Sequence, residues 1–157
     1  MSNTLTSKNL DSVTYFKKGT VIFAEGMPSK NLYIIKSGEV RLLKNKNNKL
    51  YTLAICRDKE ILNEIAILTN TNNSYSAITE KDTEVVMVSE KDINASITSG
   101  PLWIEELLGT LCERLVSVKE VVEEHQLQDT MSDKELIMSR EQENEYLNLI
   151  QVYKTAR

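Results

Sequence analysis

The sequence is short of the residues that most reaction chemistry needs. It has one histidine, His125, and two cysteines, Cys56 and Cys112, placed far apart in different kinds of segment. So few imidazole and thiolate groups exclude an ordinary metal cluster, and His125 reads as a surface or interface residue. The cysteines read as reduced thiols rather than a disulfide, Cys56 as a small core hydrophobe on a strand. There is no phosphate-binding P-loop, no catalytic carboxylate pair of recognisable spacing and no nucleophile–histidine set. No catalytic residue is assigned, no metal is expected, and an enzyme is not expected. Basic excess is missing too: 19 Lys and Arg stand against 23 Asp and Glu, a net charge of −4. That balance argues against a general nucleic-acid binder. No apolar run approaches the roughly 20 residues that cross a bilayer. The polar opening MSNTLTSKNLDS lacks the apolar core of an export signal, so a cytoplasmic location without a membrane partner is expected.

What is present is one domain's worth of chain. The 157 residues, 41% hydrophobic and 27% charged, suffice for a single core and an appendage. Residues 1–12 read as a flexible leader and 13–100 as a run of short strands. Val13 to Phe16 and Val21 to Phe23 are apolar segments separated by Lys17-Lys18-Gly19-Thr20 and closed by Glu25-Gly26-Met27-Pro28. Leu32 to Lys36 and Val40 to Leu43 flank Ser37-Gly38-Glu39, which reads as a tight hairpin turn. Asn45 to Asn48 makes a polar tip before a strand from Leu50 to Cys56. Ser74 to Ile78 and Thr83 to Ser89 read as a further hairpin around Glu80-Lys81-Asp82. Many short strands at this spacing predict an antiparallel barrel or jelly roll.

Between the strands lies Lys59 to Ala77, KEILNEIAILTNTNNSYSA, which the rest of the chain surrounds. Ile61 to Leu68 reads as a short amphipathic helix whose first N–H groups suit an anion. After Glu90 the period turns helical. A short helix to Ser99 stops at Gly100-Pro101, and residues 101–128 then form a long helix. Ile104, Leu108, Leu111, Leu115, Val118 and Val122 recur at spacings of four and three, a heptad seam that predicts pairing with a second copy. In the helical tail, 129–157, Thr130 to Asp133 reads as a break with Ser132 as N-cap and Asp133-Lys134-Glu135 as a charged first turn. Tyr146, Leu147, Ile150 and Tyr153 give that last helix one apolar side, a surface expected to meet a protein partner. From Ile104 to the end there are twelve acidic and six basic residues, a poor match to a phosphate backbone.

The order of these elements resembles the cyclic nucleotide-binding domain family, the β-roll of bacterial catabolite-activator-type regulators and of kinase regulatory subunits. The likeness rests on Phe16-x-x-Gly19, Ile22, Glu25-Gly26, Leu32-Tyr33-Ile34-Ile35-x-Ser37-Gly38-x-Val40, Glu64-x-Ala66-x-Leu68 and Ser74-Tyr75-Ser76-Ala77. It covers about residues 13 to 125. It implies a mainly β fold with α elements: an antiparallel roll of about eight strands, a short cassette helix, a long dimerisation-type helix and a last helical tail. The family's phosphate-binding cassette resembles Gly-Glu-Leu-Ala followed by Arg-Ser/Thr-Ala. Its glutamate accepts from the ribose, backbone amides hold the cyclic phosphate, and the arginine neutralises it.

Glu64, Ala66 and Ser74 stand where the family would have them. The cassette glycine is Asn63, the turn glycine before it is Lys59, the arginine is Asn73 and the small residue after Ser74 is Tyr75. Candidate ligand-binding residues are therefore Lys59, Asn63, Glu64, Ile65, Ala66, Asn73 and Ser74, with Lys59 as a substitute cation. The cassette reads as degenerate, because a charge-assisted phosphate contact is worth roughly 1.5–3 kcal/mol and asparagine brings no charge. The expected function is a regulatory or signalling module with a degenerate pocket and no resident cofactor, working through dimerisation and protein contact. The alternative is a genuine sensor of a cyclic AMP- or cyclic GMP-type nucleotide with an atypical phosphate site. A transcription factor is disfavoured. The stretch after His125 is too short for a winged helix-turn-helix and carries no turn glycine or basic recognition helix.

Overall fold

A computed structural model describes the backbone of residues 13–129 and 135–157, and side chains over 13–118 and 135–157. The leader and the expected N-cap Ser132 lie outside the described residues, as do the side chains of Val122 and His125. In chain order the elements are β1 (Val13–Phe16), β2 (Val21–Phe23), β3 (Asn31–Ser37), β4 (Val40–Lys46), β5 (Lys49–Cys56) and β6 (Ile61–Leu62). They continue with α1 (Glu64–Thr69), β7 (Ser76–Thr79), β8 (Thr83–Ser89), α2 (Glu90–Thr98), α3 (Leu102–Asp129) and α4 (Arg140–Thr155).

The eight strands form two antiparallel four-stranded sheets, ordered β1-β8-β3-β6 and β2-β7-β4-β5. Their facing sides enclose one core, in which Tyr33, Ile35, Leu62 and Val85 meet Phe23, Val40, Leu42 and Ala77. Phe23 stacks on Tyr33 with ring centroids 5.2 Å apart, a favourable aromatic pair. This is the β-roll that the strand spacing predicts.

Two expected hairpins are corrected. β3 and β4 are consecutive but belong to different sheets, and so do β7 and β8. Each tight turn carries the chain across from one sheet to the other. The two turns stack on each other at one end of the roll, where the Glu80 N–H donates to the Glu39 carbonyl at 2.8 Å. Gly38 sits between them at φ 110°, and a Cβ there would lie 2.4 Å from Thr83 Oγ1. Only glycine fits so close an approach. Turn residues announce a reversal of the chain but not which sheet receives it. The connection that does close a hairpin is β4 to β5, where Asn47 and Asn48 take φ 54° and 63°, as a two-residue primed turn requires.

Two helix boundaries also move. Ile61 and Leu62 pair with Ile34 and Tyr33 as a strand rather than opening a helix, so the short helix begins at Glu64. The last helix begins at Arg140 with Ser139 as N-cap, its hydroxyl accepting from the Gln142 N–H at 3.1 Å. Glu135, expected in the first helical turn, precedes the helix and pairs with Arg57.

The tail returns to its own roll. Val21, Leu43, Leu50 and Ile78 point away from the first core and form a second one with Tyr146 and Ile150 of α4. Glu143 accepts from the Leu50 N–H of β5 at 2.9 Å, while Tyr153 donates to the Ile22 carbonyl of β2 at 3.0 Å. β5 and β2 are the two outer strands of that sheet. Ten helical residues rise about 15 Å, close to the roughly 14 Å across four strands. The helix thus spans the sheet from edge to edge. Beneath it, Arg41 and Glu80 form a buried ion pair, and Arg41 also donates to Thr52 Oγ1 and the Glu135 carbonyl. Tyr146 donates to the same Glu80 carboxylate at 2.8 Å, so each charge is paired and further hydrogen-bonded.

Candidate functional site

The cassette is built where β6 ends. Asn63 takes φ 70°, ψ 17°, a left-handed conformation that turns the strand into α1. Asparagine tolerates this conformation better than most non-glycine residues. Lys59 also takes a left-handed φ of 70°, in the turn between β5 and β6.

Glu64, Ile65, Ala66, Ser74 and Tyr75 come together around a cavity of about 250 Å³ that also touches Leu42, Cys56, Ile61 and Asn63. Lys59 is not among its walls. Glu64 is the one charged side chain among the described residues of that lining. Burial first, then the Glu60 and Glu64 carboxylates, push the Cys56 thiol up to about 11.

Tyr75, which the sequence marks as added bulk beside Ser74 without listing it among the ligand-binding residues, decides the local geometry. Its ring packs on Phe23 at 5.5 Å between centroids. Its hydroxyl oxygen accepts from the Asn63 N–H at 2.9 Å. The first amide of the cassette is therefore engaged by a side chain of the protein. Burial and the Glu64 carboxylate raise the Tyr75 pKa, which keeps the phenol neutral.

Asn73 does not reach into the cavity lined by Glu64. It is 4% exposed, and its Nδ2 donates to the Ala24 carbonyl at 3.0 Å. Its Oδ1 accepts from Asn63 Nδ2 at 3.0 Å. Asn63 Nδ2 also lies within hydrogen-bond distance of Ser29 Oγ and the Asn31 carbonyl. The Ala24 carbonyl fixes the orientation of the first amide, and that amide fixes the second. Asn63 Oδ1 is left buried without a partner, a state that costs about 1–3 kcal/mol. Asn63 and Asn73, ten residues apart in the sequence, are one hydrogen-bonded unit.

Beside this cavity a larger groove of about 700 Å³ runs between α1 and α3. Ile65, Ala66 and Ser74 line both spaces, and Gly109, Cys112 and Val116 supply the α3 wall. Among the described residues that line it, the one charged side chain, Glu113, is again acidic. On α3 the expected seam divides. Ile104 and Leu108 are half-buried and turned inward, while Leu111, Leu115 and Val118 are exposed. Trp103 and Leu107 extend the exposed strip. Among the described residues no cluster of His, Cys, Asp or Glu has a metal-holding arrangement, and no helix is long and apolar enough to cross a membrane.

The sequence pattern described as "Cyclic nucleotide-binding domain" matches residues 13–99, from β1 to the end of α2. The chain belongs to the cyclic nucleotide-binding domain family. It is 31% identical over 110 residues to the "Cyclic AMP receptor protein" of Thermus thermophilus, covering 66% of this chain and 51% of that protein. It is 32% identical over 92 residues to the "Anaerobic regulatory protein" of Bacillus subtilis, covering 57% and 39%. The chain spans about half the length of the curated relatives it matches, or less. Among solved structures, the Catabolite Activator Protein of Thermus thermophilus superposes with a TM-score of 0.60 at 25% identity, covering 82% of this chain and 63% of that one. The cyclic GMP-bound form of the EAL enzyme Bd1971 superposes at 0.61 and 23% identity over 76% of this chain and 32% of that one, a likeness of fold. The family assignment holds the expected β-roll in place; what its pocket takes is a matter for the residues just described.

Proposed function

We propose that this chain is a regulatory module of the cyclic nucleotide-binding fold whose pocket is occupied by its own tyrosine. It acts through α3-mediated dimerisation and protein contact rather than by catalysis or by tight binding of a cyclic nucleotide. The observation that carries this is the Tyr75 hydroxyl on the Asn63 amide, in a cavity whose one charged lining group is the Glu64 carboxylate. A cyclic phosphate entering there would lose an amide donor and meet a negative charge with no cation among the described lining residues.

The exposed strip Leu107, Leu111, Leu115 and Val118 supports the dimer. Spacings of four and three put it on one face of a 28-residue helix, where solvent exposure of so much apolar surface is unfavourable. The docking of α4 on the roll changes the partner expected for residues 129–157. The apolar side of α4 is already used, so the tail serves the roll itself. Partners of other proteins are then met through the remaining surface of the dimer.

Isothermal calorimetry of the full chain with cyclic AMP and cyclic GMP tests the reading. No heat of binding is expected at about 100 μM nucleotide. A micromolar Kd would show that Tyr75 swings aside and that the chain is a working sensor. The second reading keeps one supporting feature, since Glu64 and Ser74 still face the same cavity.

A further inference from the structure

β2 carries an extra residue. Its Val21 pairs with Ile78 of β7 and its Phe23 with Ala77, so two steps along β2 match one along β7 and Ile22 is bulged out of the ladder. In a regular strand Val21 and Phe23 would share a face. Here Val21 and Ile78 belong to the core under α4, while Ile22, Phe23 and Ala77 belong to the core inside the roll. The bulge thus turns Phe23 inward, where its ring lies 5.2 Å from that of Tyr33 and 5.5 Å from that of Tyr75. A bulged residue leaves the ladder, and the buried Ile22 needs another partner for its carbonyl. The Tyr153 hydroxyl of α4 supplies it, donating at 3.0 Å.

We propose that α4 is an intramolecular switch for the cassette. Tyr153 fixes the bulge, the bulge holds Phe23 against Tyr75, and the Tyr75 hydroxyl holds the Asn63 amide, so lifting the end of the helix releases that amide. This coupling presupposes, as the proposed function does, that Tyr75 occupies the cassette amide. Each link is a direct contact between neighbours. The end of α4 is the part able to move. Tyr146 and Ile150 are the buried residues of the helix, and Tyr153 beyond them is half-buried. Segments with so little burial open at a lower cost than the core beneath them. The first turns are tied further by Glu143 on the Leu50 N–H and Tyr146 on Glu80, so the far end can lift while they stay. With the bulge freed, the Phe23 ring can withdraw into a space of about 190 Å³ that it lines together with Tyr33, Asn73 and Tyr153. A partner that draws off the tail would then act on the cassette without touching it.

Amide hydrogen exchange of the full chain, followed by NMR, measures the coupling. Tyr153→Phe keeps the ring and removes only the donor. Exchange at the Asn63 amide should quicken about fivefold or more, while amides of β3 and β8 in the opposite sheet change by less than about twofold. Coupling between two sites is reciprocal, so Tyr75→Phe should also quicken exchange in the last turn of α4. An Asn63 amide unchanged by Tyr153→Phe overturns the proposal. So does an equal acceleration at Asn63 and in the opposite sheet, which would make Tyr153 a contributor to global stability alone. Tyr75→Phe separates the two readings. If it leaves the Asn63 amide as protected as in the parent, the hydroxyl does not hold that amide, and the proposed function loses its support along with the switch. If it exposes the amide while Tyr153→Phe does not, only the switch fails.

Discussion

Tyr75→Phe isolates the contact on which the functional reading turns. The substitution keeps the ring, and with it the packing on Phe23, so the apolar contribution cancels between variant and parent. What is lost is the oxygen that accepts from the Asn63 N–H at 2.9 Å. Asn63 is 2% exposed, so water does not readily replace that oxygen. A buried donor left unpaired costs about 1–3 kcal/mol. For a chain of this size each kcal/mol moves the melting midpoint by about 2–4 °C, so Tm should fall by roughly 2–12 °C. Differential scanning calorimetry measures it. The same samples with about 100 μM cyclic AMP or cyclic GMP should show no rise for the parent. In the phenylalanine variant a freed amide still shares the cavity with Glu64, with no cation among the described lining residues, and again no rise is expected. A stability unchanged within about 0.5 kcal/mol would refute the claim that the hydroxyl satisfies a buried amide. A parent melting point raised by nucleotide would refute the claim that the tyrosine keeps the pocket shut.

Four other outcomes follow from the same geometry. Ile150→Ala removes a buried side chain from the core under α4 and should cost about 2–5 kcal/mol in chemical denaturation, as no surface helix residue would. Leu111→Glu combined with Leu115→Glu changes two exposed positions; light scattering should show the mass of two chains falling to one, with far-UV circular dichroism unchanged. Lys59→Gly relieves a left-handed φ of 70° and should raise stability by up to about 1 kcal/mol in urea. The hydrogen bond from Tyr15 to Asp82 lowers the Asp82 pKa and raises that of Tyr15. The carboxylate's contribution is present above its unfolded pKa near 4 and is lost as pH falls through the lower folded value; the phenol's is present below about 10 and is lost as pH rises further. The stability difference between parent and Tyr15→Phe should therefore form a plateau at neutral pH and shrink at both ends.

Much of the roll could be read from local pattern. Apolar triplets such as Val21-Ile22-Phe23 have few alternatives to a buried strand, and Gly19, Gly26 and Gly38 all fall at positive φ. The turns at Gly38 and Lys81 were legible as turns. They were not legible as crossings between sheets, because that depends on which strands, far apart in the chain, compete for the open edges. The start of the last helix was misplaced for a similar reason. Ser132 and Ser139 both offer a hydroxyl, and the choice rests on where Tyr146 and Ile150 must land upon Leu43 and Ile78.

For the pocket, the sequence alone determined that asparagines stand at positions 63 and 73 and a tyrosine beside Ser74, where the resemblance leads one to expect a glycine, an arginine and a small residue. Those identities fix the missing charge and the added bulk. Only the tertiary structure decided that Asn63 and Asn73 hold each other, and that the Tyr75 hydroxyl accepts from the Asn63 amide. Charge is a property of each residue and can be counted along a chain. Which hydrogen-bond acceptor a buried amide finds depends on strands, loops and a helix brought together from distant parts of it.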